Sequence, residues 1–195
     1  MLLKYDLCET ARYMGYKHGA KPSEEICELV EEAYKELCKV ITPKYIYKEY
    51  DFTRTDDGII IDGIEFKSKK LLNHLRNSTS IILFGATIGV GADTLVRKYS
   101  VTDLAMTSVA HCVGASLVEN LCDKACDELK NTIKGEHRPR FSPGYGELHI
   151  SSQVDFFKLL PMTKQLGVTL YLRTSVSAPT PIVAPKRITE VEFRR

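Results

Sequence analysis

Arg140, Pro143, Gly144, Tyr145 and Gly146 fall within eight consecutive residues, RFSPGYGE, at Arg140 to Glu147. The arginine offers a planar fork of donors that suits a carboxylate. Pro143 stiffens the backbone, the two glycines let it approach a ligand closely, and Tyr145 adds a flat face that can stack on a base or sit near a cation. With one arginine and no lysine, the stretch suits an amino acid joined to an adenosine better than it suits a polyphosphate. An ordinary proline-glycine turn carrying a solvated arginine would be spelled the same way, and the letters alone leave both readings open.

The other candidates are thinner. GATIGVGAD follows a strand-like run and precedes a helical one, but it lacks the Gly-Lys-Ser/Thr ending and its glycines do not fall as GxGxxG. A tight strand exit explains it better than a phosphate loop. Glu119 lies five residues after Gly114 in a long helical pattern, where a carboxylate beside a gap can meet an ammonium or a sulfonium, or simply be solvated. His111 and the other histidines form no metal-spaced cluster. The six cysteines, Cys8, Cys27, Cys38, Cys112, Cys122 and Cys126, include no CxxC pair, so reduced and mostly buried thiols are expected, with Cys122 and Cys126 as core residues.

Positioning these residues requires a mixed set of elements. PSEEICELVEEAYKELCKV reads as an amphipathic helix with Ser23 as its N-cap, and GIIIDGIEF as a hairpin turning at Asp62-Gly63. SKKLLNHLRN reads as a helix and SIILFGAT as a strand buried on both faces. From Val101 to about Lys134 the spacing predicts one long helix, in which Gly114 makes room for a neighbouring backbone or a ligand. RFSPGYGE then lies between two helix-like segments, the second being SSQVDFFKLL, stopped by Pro161. GVTLYLRTS reads as a half-buried strand, and the proline-bearing tail can form only short or edge strands. A single α+β domain spanning 1–195 accounts for the whole.

Composition narrows the partners. Hydrophobic residues at 44% and charged residues at 27% fit a soluble globular chain. A net charge of +2 is too slight for nucleic acid, and no apolar run reaches the length of a membrane span. The opening residues lack the form of a secretory signal, so the expected location is cytoplasmic, without membrane partners.

FGATIG at Phe84 to Gly89, GASLVE at Gly114 to Glu119, RFSPGYG at Arg140 to Gly146, and GVTLYLRTS with its proline-rich sequel occur in the order of a known family. Over about the last two thirds of its length the chain resembles the activation (reactivation) domain of cobalamin-dependent methionine synthase, in a stand-alone form. The resemblance implies a mixed, largely antiparallel bent sheet flanked by helices, with residues 1–42 as a helical amino-terminal arm. It also implies binding of S-adenosylmethionine, which is presented to a cobalamin carried by a partner module. An electron from a flavodoxin-like or other reductant and the methyl group of S-adenosylmethionine then restore methylcobalamin from cob(II)alamin. By motif, Arg140 grips the methionyl carboxylate, Ser142 and Gly144 give backbone contacts, Tyr145 packs on the ligand and Glu119 is the acidic partner. Such a protein takes part in methyl transfer while the cofactor carries the chemistry, and it needs no general base or metal of its own.

The family commonly continues Gly-Tyr-Gly-Asp with tryptophan or leucine and then proline, whereas this chain has Glu147, Leu148 and His149. Its serine beyond the proline-rich turn is replaced near Ile182, and an acidic contact in the arm has no clear counterpart. These departures motivate an alternative, a non-catalytic docking subunit of a split methionine synthase or another corrinoid methyltransferase that no longer uses S-adenosylmethionine. A thiol or metal protein built on the cysteines is a third reading.

Overall fold

The computed structural model describes residues 2–17, 19–133, 135, 137–169 and 190–194. Much of GVTLYLRTS and the proline-rich segment lies outside them. The fold is α+β, and every strand pair whose register is defined is antiparallel.

Helix starts follow local capping chemistry. α1 (Leu7–Tyr13) begins at Asp6, whose carboxylate accepts from the Glu9 N–H at 2.8 Å. α2 (Glu24–Val40) begins at Ser23, whose hydroxyl accepts from the Ile26 N–H. Next come β1 (Lys44–Tyr50), β2 (Thr53–Arg54), β3 (Gly58–Ile61) and β4 (Ile64–Lys67). Asp62 and Gly63 join β3 to β4 with φ of 48° and 79°, the double left-handed geometry of a type I′ hairpin. α3 (Lys69–His74), β5 (Ser80–Thr87) and α4 (Val90–Thr102) follow.

The expected long helix is α5 (Leu104–Thr132), and it starts later than its apolar spacing suggests. Val101 lies in the last turn of α4 instead. Asp103 breaks the helical run with an extended backbone, φ −154°, and its carboxylate accepts from the Met106 N–H at 2.9 Å. Aspartate competes well for that capping role, so an apolar period that runs unbroken across Asp103 is cut in two. β6 (His137–Phe141), a 3₁₀ turn at Ile150–Ser152, α6 (Gln153–Leu159), α7 (Met162–Leu166) and β7 (Glu190–Arg194) complete the described elements. α6 ends before Pro161, as expected.

The chain divides into two compact units. The first holds the described residues of 1–44 and 87–124, the second those of 45–86, 125–170 and 188–195. In the first unit α4 packs on α2, and the glycine cluster explains how. A β-carbon on Gly91 would lie 2.1 Å from the Val40 carbonyl oxygen, and one on Gly89, φ 93°, would lie 2.2 Å from Thr42 Oγ1. These glycines admit the end of α2, which leaves no need for a phosphate to account for them.

The second unit carries both sheets, a four-stranded one in the order β1-β5-β7-β6 and a three-stranded one in the order β2-β3-β4. Its core gathers Ile59, Phe66, Leu75, Ile81, Phe141 and Phe156 among others. β7 is short, as expected of the tail, but it lies between β5 and β6 rather than at an edge. Its five residues contain no proline and so can donate to both neighbours.

Candidate functional site

RFSPGYGE is entered from a strand, not from a helix, because Arg140 and Phe141 end β6. The register of β6 on β7 shifts between Arg138 and Phe141, so that Pro139 and Arg140 together face the single residue Glu192. A bulge of this kind bends the strand and re-aims its side chains. α3 holds the strand in place. The His74 Nε2–H donates to the Pro139 carbonyl at 2.9 Å, and Arg138 Nη1 donates to the His74 carbonyl at 2.8 Å.

The turn itself is local chemistry. The Tyr145 N–H donates to the Ser142 carbonyl at 3.0 Å, with Pro143 and then Gly144 (φ 92°) at the two central positions, as a type II turn requires. The Gly144 N–H donates to the Leu148 carbonyl at 2.7 Å, and Gly146 takes a second left-handed φ of 60°. Leu148, only 1% exposed, pins the turn to the core of the second unit. Glu147 accepts from the Lys69 N–H at 2.8 Å at the start of α3, and His149 Nδ1 accepts from the Ser151 N–H at 3.2 Å. Glu147, Leu148 and His149 thus have structural work of their own in anchoring the loop.

That anchoring leaves Tyr145 at the tip, 71% exposed, its ring edge-on to Phe141 with centroids 6.1 Å apart. Ser142 and Gly144 share its hydrogen-bonded turn. Arg140, half-buried, directs Nη1 at the Sγ of Cys126 on α5, 3.8 Å away. The loop therefore unites Ser142, Gly144 and Tyr145, and Arg140 stands just before it on the bulged strand.

Glu119 belongs to the first unit. It is half-buried on α5 and accepts from the Tyr13 hydroxyl at 3.1 Å. One turn earlier, Ser116 Oγ accepts from the Asp6 N–H at 2.8 Å. No spacing rule relates residues more than a hundred positions apart, so Tyr13 carries no signal in the sequence. At Gly114, where the sequence suggests room for a neighbouring backbone or a ligand, no backbone comes close among the described residues. A β-carbon would meet only Ile88 Cδ1, at 3.7 Å, an ordinary contact.

All six cysteines are free thiols. Cys112, Cys122 and Cys126 are buried, Cys27 is half-buried, and Cys8 and Cys38 are exposed, so burial is less general than expected. Burial pushes the Cys112 thiol pKa above its usual value. Among the described residues no group of three or more His, Cys, Asp or Glu side chains is placed to hold a metal ion. None of the described helices is long and apolar enough to cross a membrane. In the second unit the Tyr45 hydroxyl donates to Glu128, which with burial pushes its pKa up to about 12.

No protein-family model matches the sequence, and no curated protein does. Among solved structures the chain is similar to the MetH reactivation domain bound to AdoHcy, with a TM-score of 0.65 over 97% of this chain and 74% of that one, at 15% identity. At that identity the likeness is one of fold, and it bears out the α+β class.

Proposed function

We propose that the chain binds S-adenosylmethionine and supports the reductive methylation of a cobalamin held by a methionine synthase module or a related corrinoid protein. The reading is carried by one observation: the fold likeness to an AdoHcy-bound reactivation domain extends over 97% of the chain. The loop geometry fits such a ligand. A type II turn fixed at Leu148 and Glu147 presents the exposed aromatic face of Tyr145, on which a nucleoside can stack, while Lys70 packs against Gly146 and Ile150 against Gly144.

In this reading Arg140 binds the methionyl carboxylate and Tyr145 packs on the ligand. Ser142 and Gly144 give backbone contacts to the ligand. S-adenosylmethionine supplies the methyl group, and a flavodoxin-like reductant supplies the electron. The chain's own residues bind and orient the ligand, and no proton transfer is asked of them.

Calorimetric titration with S-adenosylmethionine tests this. Arg140→Ala should weaken binding by about 1 to 3 kcal/mol, the range for a hydrogen bond to a charged group. Absence of binding by the unaltered chain, alone and with a cobalamin-loaded partner, would remove the proposal.

One observation favours a second reading, the docking subunit. Tyr145 and Ile150 are both more than half exposed, and Ile150 Cδ1 lies 3.4 Å from the β-carbon position of Gly144, so the loop presents an apolar tip. Capture of a corrinoid protein that Tyr145→Ala abolishes and Arg140→Ala leaves intact would select this reading over ligand binding.

A further inference from the structure

A lysine from α3 crosses the tyrosine loop. A β-carbon on Gly146 would lie 2.4 Å from Lys70 Cδ and 3.3 Å from both Cβ and Cγ of that lysine, so the space a side chain would need at 146 is filled by the lysine stem. Gly146 directly follows Tyr145, and Lys70, Tyr145 and Gly146 all belong to the second unit. A lysine stem lies along a surface while its head stays in water, and Lys70 is exposed. Its ammonium sits two bonds beyond Cδ, at the rim of the turn that carries the Tyr145 ring.

The neighbouring carboxylates are turned elsewhere. Glu147 accepts from the Lys69 N–H at 2.8 Å, and Glu65 pairs with Lys67 at 3.7 Å. Ser68 Oγ accepts from the Leu71 N–H at 3.1 Å, so the start of α3 is capped from within the chain. Among the described residues the Lys70 ammonium enters no hydrogen bond or ion pair. Arg140, by contrast, directs Nη1 at Cys126 Sγ on α5. A flat ring with an ammonium at its edge takes a base on the one and an anion on the other. S-adenosylmethionine has a single anionic group, its carboxylate. Its amine and sulfonium would be repelled by Lys70, and its adenine nitrogens are neutral acceptors that gain less from a cation.

Resting on the reading that Tyr145 packs on S-adenosylmethionine, we infer that Lys70 is a further binding residue of that site, a cation for the ligand carboxylate in addition to Arg140. The full chain, Lys70→Met and Lys70→Arg are each titrated with S-adenosylmethionine and with its decarboxylated form, which keeps the adenosine, the sulfonium and the amine. Methionine keeps an unbranched stem over Gly146 and removes only the charge. Lys70→Met should weaken S-adenosylmethionine about threefold to tenfold, less than a sheltered charged hydrogen bond because the site is open to water, and should leave the decarboxylated form within about twofold. Lys70→Arg should keep most of the preference for the carboxylate. A Lys70→Met protein that retains the original ratio of the two affinities overturns the inference, whether neither affinity changes or both fall together, as a role confined to shaping the turn would require. Failure of the unaltered chain to bind S-adenosylmethionine removes the underlying reading as well, and that result is distinct from a ratio that does not move.

Discussion

The tyrosine loop of the second unit and the Glu119 turn of the first are held in place by opposite means. The loop is shaped by its own backbone and anchored by burial. Two left-handed glycines and a proline set its path, and Leu148 fixes it in an apolar core. The Glu119 turn sits on a regular helix and gains its orientation from polar side-chain contacts with residues far away in the chain, Asp6 to Ser116 and Tyr13 to Glu119. Burial sums over many weak contacts without a preferred direction, whereas a hydrogen bond is directional and weakens steeply when its angle closes.

The comparison can be broken most forcefully at Leu148. Leu148→Ala should destabilise the protein by about 2 to 5 kcal/mol, the range for leucine truncation in a packed core, read as a lower urea midpoint at constant slope. Ser116→Ala should cost less, about 0.5 to 1.5 kcal/mol for the loss of one part-buried hydrogen bond from the Asp6 N–H. Equal losses at the two sites would erase the distinction. The smallest effect is expected at Tyr45, whose hydroxyl donates to Glu128 within the second unit. Its pKa rises from 10.0 unfolded to about 12 folded, so the folded state keeps a proton that the unfolded state releases. The stabilisation is complete below pH 10 and is lost as the pH climbs towards 12. Tyr45→Phe should flatten that part of an alkaline unfolding curve, and an unchanged curve would show that the hydroxyl contributes nothing there.

The same contrast explains what could be read without coordinates. Ser23, the Asp62-Gly63 pair and the Pro143-Gly144 pair act on backbone within three residues of themselves, and each takes the role its type suggests. The burial of SIILFGAT follows from its apolar run in the same direct way. Asp103 was masked because the apolar period continues across it, and capping outweighs period only once the chain can turn there. The place of β7 between β5 and β6 depends on pairing across more than fifty residues, which no local pattern encodes. Tyr13 belongs with β7: its role exists only after α1 has settled on α5. Arg140 and Tyr145 stood out by composition, yet the bulge that aims Arg140 at α5 is a property of the strand pair, invisible in RFSPGYGE itself.

The bulge has one more effect. Among the described strands β6 is outermost in its sheet, a position from which an exposed ladder can recruit a second molecule. Pro139 has no amide hydrogen to offer, and the two-against-one stagger beside it throws the remaining groups out of step with any straight incoming chain. The distortion that orients Arg140 therefore also denies β6 the straight row of donors and acceptors that strand pairing needs.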